Sequence, residues 1–451
     1  MTVSDRISPA PASFLSLPVR PQPLSRLAVA FIVALAVAIQ VQVTVPFTVA
    51  GLKLNAGDPL VAGVAGLLVL SLLRSGNGRV AWGWRMPGVW FWLAVLTSVL
   101  SLSLLVGYLR MQQLSMWAVA NKYVGWFVLL GYFTSGAYVS AVFGTAGQRL
   151  FLRTFVVFAV LVAAASSLLL LLADFHVHAW LPKGDPVARG LMGNSNAFAF
   201  LLLAALAALY ACQRGAVPLF NRRGAVVLMV LLWTGLWYCG SRTAWGAAIG
   251  LTLVAAWLGS LPWKEFSAAV CVFALATLVV MQSMPAAQSG DRNTTTTAKL
   301  SSLHVPQKLA NDPSNIERFR GYRDAYALWR GDMLLGIGLG GFLHDQQSRY
   351  EEPQVIHNTA LWILTEMGVL GALAFAAFAW KLVSSLRPFF SREFDRDHAI
   401  RMVGILLLAV FGAMSLLHEL LFQRILWVML GLVLCLPGQT ADAESTGPKL
   451  W

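Results

Sequence analysis

Apolar runs long enough to cross a bilayer recur along this chain, and they decide what it can fold into. A run such as "AFAFLLLAALAALYAC" (197–212) carries no charge. A helix needs about 20 mainly apolar residues to traverse about 30 Å of hydrocarbon. By that measure the approximate cores are 27–49, 59–73, 89–107, 124–143, 154–173, 196–212, 224–240, 243–260, 266–284, 358–380, 402–417 and 424–437. The expectation is an all-α, polytopic membrane protein of about twelve transmembrane helices. Composition agrees: 58% of the 451 residues are hydrophobic and 12% charged, about half the charged share of a soluble domain.

The formal charge of +13 reflects basic inner loops and a basic functional face. Nucleic acid is excluded as a partner because no basic soluble domain exists to hold it. With both termini inside, the inner segments hold most Lys and Arg, among them Arg74, Arg79, Arg149, Arg153, Arg214, Arg222, Arg223, Arg387 and Arg392. The short outer loops hold fewer, as the positive-inside rule requires of an even number of spans. The organisation read from this is a cytoplasmic tail (1–26), nine spans (27–284), a long outer loop (285–357), three spans (358–437) and a second tail (438–451). The first tail is Pro-rich and polar, which suits a disordered segment rather than a cleaved leader. The four cysteines, Cys212, Cys239, Cys271 and Cys435, lie in or near apolar runs without metal-site spacing. They read as packing residues.

The long loop divides in two. Its first part, around Thr294 to Thr297, is of low complexity. Its second part has Ser314 and Glu317 at capping-box spacing, then Phe319, Tyr322, Tyr326 and Trp329 at helical spacing. The pattern predicts an amphipathic helix lying on the outer face and ending near Gly331. The "GIGLGG" that follows has no preceding strand and no following Lys, so it reads as a flexible turn rather than a nucleotide loop.

Charged groups at span ends are costly and mark function. Arg242, in "YCGSRTAWG", sits in a nearly loopless hairpin. It is either a snorkelling interfacial Arg or a phosphate ligand, for which planar guanidinium donors are suited. Arg189, in "PVARGLMGNSNAFAF", precedes a helix that Asn194 to Asn196 can cap, and a free helix N-terminus favours an anion. Together they outline a pyrophosphate cradle, with Asn194 and Asn196 as contributors. Arg318, Arg320, Arg323 and Arg330 form a basic face on the predicted amphipathic helix; Arg320 and Arg323 are candidates for contact with anionic lipid or acceptor. His357 and Asn358 open the tenth span, where a neutral imidazole could take a hydroxyl proton and Asn358 is a candidate for substrate contact. Glu366, about 13 Å further along at about 1.5 Å per residue, is too deep to reach it and reads as a structural hydrogen-bonding group. His176 and His178 lack a third ligand. His418 and Glu419 read as interfacial. No metal and no cofactor is expected.

Three elements, "HNTALWILTEMGVLGAL", "GSRTAW" and "RGLMGNSNAFAF", resemble those of the O-antigen ligase and O-antigen polymerase superfamily. The resemblance implies a GT-C-like membrane glycosyltransferase in the bacterial inner membrane, with its site facing the periplasm. It implies transfer of a glycan from undecaprenyl diphosphate, with Arg189 and Arg242 on the diphosphate and His357 activating the acceptor hydroxyl. In a ligase the acceptor is the lipid A–core saccharide. A polysaccharide polymerase and a protein O-oligosaccharyltransferase share the donor and stay open as alternatives. A lipid-linked glycan flippase fits less well, since it needs charges along a path through the bilayer.

Overall fold

A computed structural model describes residues 22–45, 52–74, 86–174, 187–214, 218–283, 313–351, 353–386 and 396–435. The low-complexity part of the long loop, His176, His178, the second tail and most of the first lie outside the described residues.

The described residues are mostly helical. Helices α1 (Arg26–Ala38), α2 (Asp58–Arg74), α3 (Pro87–Met111) and α4 (Gly125–Asp174) build the first half. A two-stranded hairpin, β1 (Gln42–Val45) and β2 (Leu52–Asn55), separates α1 from α2. A π-helical turn (Ala118–Val124) leads into α4. The second half holds α5 (Ser195–Gln213), α6 (Arg222–Cys239), α7 (Arg242–Trp257), α8 (Trp263–Ser283), α9 (Pro313–Gly331), α10 (Gly341–Arg349), α11 (Thr359–Leu386), α12 (Arg396–Ser415) and α13 (Arg424–Leu434).

Among the described residues, five helical stretches are long and apolar enough to cross a membrane: 88–111, 118–172, 195–213, 359–386 and 398–415. The first expected core, 27–49, is corrected. Its helix ends at Ala38, and Gln42–Val45 pairs as a strand with Leu52–Asn55. The β-branched residues of "QVTV" suit an extended conformation.

Helix ends follow local chemistry. Ser25, Asn194, Asn221 and Ser241 each accept a backbone N–H three residues on, at the starts of α1, α5, α6 and α7. Gly240 adopts φ +64°, which ends α6, and Ser241 caps α7 at once. That accounts for a hairpin with almost no loop. The longest helix is two helices joined at a kink: Gly144 breaks it, and Gln148 donates to the Ser140 hydroxyl and the Leu432 carbonyl. α5 is buried on every side from Ala197 to Cys212 and forms the axis of the core. The short α13 packs on α4 with backbones in near contact; a Cβ on Gly136 would lie 2.0 Å from the Val428 carbonyl. Small residues allow such approach between helices in lipid.

The "GIGLGG" segment is not a flexible turn. α11 breaks at Gly368 (φ +65°), and residues 333–339 fill the break. Ile337 N–H donates to the Thr365 carbonyl (2.9 Å), Gly338 N–H to the Glu366 carbonyl (3.1 Å) and Leu339 N–H to the Ser103 carbonyl (2.9 Å). In return Val369 N–H donates to the Met333 carbonyl (2.9 Å). Backbone groups exposed by a broken helix must find partners away from water, and this segment supplies them. Only glycine fits the crossing: a Cβ on Gly338 would lie 2.1 Å from the Gly107 nitrogen. α9 accordingly packs on α11, its Ala325 carbonyl accepting from the Thr365 hydroxyl (3.3 Å), rather than resting on the outer face alone.

Candidate functional site

Two corners of one end of the bundle carry the residues singled out from sequence. The first joins the turn before α5 to the α6–α7 hairpin. Ala188 N–H donates to the Tyr238 carbonyl (2.8 Å), which sets Arg189 beside the segment leading to Arg242. Gln42 of β1 holds the same turn twice: its N–H donates to the Leu191 carbonyl (2.8 Å), and its Oε1 accepts from Gly193 N–H (3.2 Å). Both guanidinium groups are exposed. Each stands at the start of a capped helix, α5 through Asn194 and α7 through Ser241. Each arginine thus stands beside a positive helix end, and the Ala188–Tyr238 bond makes the two segments neighbours. The Asn194 side chain is engaged in its cap (2.7 Å to Ala197 N–H), while Asn196 is half-buried in the first turn.

The second corner is built around His357, which is half-buried just before α11. The Tyr322 hydroxyl of α9 donates to its carbonyl (3.4 Å). Asn358 caps α11 by accepting from Leu361 N–H (2.8 Å), and its amide donates to the Leu416 carbonyl (2.6 Å). Thr359 donates to the His418 carbonyl (3.0 Å) and accepts from Leu420 N–H (3.1 Å). The strap between α12 and α13 is thus stitched to the start of α11. Both ends of the Asn358 amide are engaged in that stitching, which shapes the corner. Burial first, then the Arg318 guanidinium, holds the His357 imidazole below its ordinary pKa. The same two causes, with His357 itself, bring His418 down to about 4.

The corners share a frame. Arg424 makes a two-pronged bond to Asp58 (2.8 and 2.9 Å) and reaches the Lys53 carbonyl (2.8 Å). That pins β2 near His357, while β1 reaches the Arg189 turn. α12, which ends at the strap, packs against α5 and α7, whose starts carry Asn194 and Arg242.

The remaining sites separate. Arg320 stacks on Tyr350, its guanidinium carbon 4.5 Å from the ring centre. Arg323 is exposed, with its side chain beside Asp324 (3.6 Å). Glu366 is buried and accepts from Trp362 Nε1 (2.8 Å) and from Gly340 N–H, the structural role its depth suggested. Sequence reasoning did not join Tyr322, Lys122 and Glu419 to the histidine corner. Tyr322 was visible in the helical pattern and Glu419 in the last outer turn, but nothing in either stretch pointed to His357.

Residues 227–376 match a family model described as O-antigen ligase. The stretch runs from inside α6 past Arg242 and His357 into α11, and leaves Arg189 outside. No curated protein matches the chain. The motif resemblance and the family match agree: this stretch, about a third of the chain, is similar to the O-antigen ligase family, whose members are glycosyltransferase-like enzymes acting on lipid-linked glycans.

Proposed function

We propose that this protein is an O-antigen ligase of the bacterial inner membrane, with twelve crossings and its site facing the periplasm. It moves a glycan from undecaprenyl diphosphate to a hydroxyl of the lipid A–core saccharide. The observation that carries this reading is His357: a half-buried imidazole kept neutral at the same end of the bundle as the exposed Arg189–Arg242 pair.

In this reading the lipid tail of the donor stays in the bilayer and its diphosphate meets Arg189 and Arg242 at the helix starts. His357 takes the proton of the acceptor hydroxyl, whose oxygen attacks the anomeric carbon. The bond from that carbon to the diphosphate oxygen breaks, and negative charge grows on the leaving group. Guanidinium donors placed before the reaction stabilise that charge more in the transition state than in the ground state. They do the work a divalent ion does elsewhere, so transfer is expected to need no metal. Arg320, stacked on Tyr350, and the exposed Arg323 line the approach for the acceptor's anionic groups.

The test is reconstitution of the purified protein with a lipid-linked glycan and three acceptors: lipid A–core, a second lipid-linked glycan and a pilin-like protein. Transfer to lipid A–core alone, undiminished in excess EDTA, is the expected result. Transfer to one of the other two reassigns the acceptor. A loss in EDTA reversed by a divalent ion removes the metal-free scheme.

A further inference from the structure

Lys122 is a lysine buried where lysine seldom is. It lies on the π-helical turn before α4, and the residue is 3% exposed. Single π-turns inside helices gather at functional sites. Its ammonium forms an ion pair with Glu419 of the strap. It also lies over three aromatic rings, 5.0 Å from the centre of Trp117, 4.6 Å from Trp362 and 4.4 Å from Phe422. Ring faces attract a desolvated cation. Trp362 belongs to α11, four residues from Asn358, and its Nε1 bonds Glu366. Glu419 follows His418, whose carbonyl receives Thr359. The lysine therefore touches the two elements that frame His357, the strap and the first turn of α11.

We propose that Lys122 and Glu419 are positioning residues for His357: the pair fastens the strap to the π-turn and prevents Glu419 from facing the imidazole as a bare anion. This rests on the reading of His357 as the base for the acceptor hydroxyl. The charged groups around the imidazole are Arg318 and Glu317 from α9, Lys53 from β2, and Glu419 and His418 from the strap. Arg318 and Lys53 favour the neutral ring; Glu419 and Glu317 favour its protonated form. Lys122 offsets Glu419, so the balance stays on the side that can accept a proton.

The experiment is the pH profile of glycan transfer by the full-length protein in proteoliposomes, from about pH 5 to 9. Wild-type activity falls on the acid side as His357 takes up a proton. Lys122→Met is expected to move that fall to higher pH by about half a unit to one unit, costing about threefold to tenfold in rate near pH 6 and much less near pH 8. Glu419→Gln moves it to lower pH, and the double variant returns it toward wild type. Should Lys122→Met fail to insert, Glu419→Gln carries the test alone. An acid limb unmoved in an inserted Glu419→Gln protein, or moved upward, overturns the proposal. His357→Ala is run alongside: full activity there removes the base assignment, whereas inactive His357→Ala with an unmoved Glu419→Gln limb defeats only the positioning role.

Discussion

The arginine corner and the histidine corner solve opposite problems with the same helix ends. Arg189 and Arg242 are exposed, and their placement comes from backbone: a turn held by Ala188, Gln42 and Gly193, and a hairpin turned by Gly240. Guanidinium is charged at every physiological pH, so it needs no tuning, only an open approach. His357 is half-buried: Tyr322 of α9 bonds its carbonyl, and the neighbouring Asn358 and Thr359 bond carbonyls of the strap. An imidazole must be neutral to act as a base, and that takes burial and a managed set of neighbouring charges. In the proposed scheme the anion site can be left open, whereas the proton acceptor has to be enclosed.

The contrast is easiest to break at its centre. His357→Ala is expected to lower transfer by about 10²–10⁴-fold with insertion intact, measured as glycosylated product in proteoliposomes. Wild-type rates there would empty the enclosed corner of meaning. Arg242→Ala and Arg189→Ala are each expected to cost about 10²-fold, and Arg→Lys is expected to rescue little because the planar fork is lost. Gly338→Val tests the insert behind the histidine corner: a side chain there meets the Gly107 backbone, and a loss of about 3 kcal/mol or more should appear as a lower aggregation temperature in detergent.

Acid sharpens the contrast more gently. His418 ordinarily titrates near 6.5 and is held to about 4 in the folded strap, chiefly by burial. The unfolded strap therefore binds the proton first. Its stability is full above about pH 6.5 and declines as pH falls toward 4, by at most about 3 kcal/mol. Hydrogen exchange should speed up across residues 416–420 in that window, while the start of α5 stays unchanged. Asn358→Ala is the smallest change, about 1 kcal/mol for the lost cap plus a loosened strap, read as a modest fall in transfer.

Part of the local geometry was legible because its residues are neighbours in sequence. Arg242 follows its capping Ser241, Asn194 opens α5, and His357 and Asn358 stand at the lip of an apolar run. Glu366 was placed as a structural group because its depth follows from helical rise. The misreadings share one cause. "GIGLGG" was taken for a flexible turn because nothing in its own stretch reveals that α11 breaks at Gly368 and needs backbone partners. "QVTV" was folded into a span because apolar content alone does not separate a strand from the end of a helix. Lys122 and Glu419 pair across 297 positions, and Arg424 reaches Asp58 across 366, distances over which spacing carries no signal.

By itself the sequence determined a helical membrane protein, the charged groups that stand at its helix ends and the family that its second half resembles. Those properties follow from how many apolar residues stand in a row and from which polar residues interrupt them. Tertiary structure alone decided that a strand hairpin ties the two corners together, that a glycine segment repairs a broken helix, and that a caged lysine balances the carboxylate beside His357. The reason is that burial and charge balance are set by groups distant along the chain, and only packing brings those groups within reach of one another.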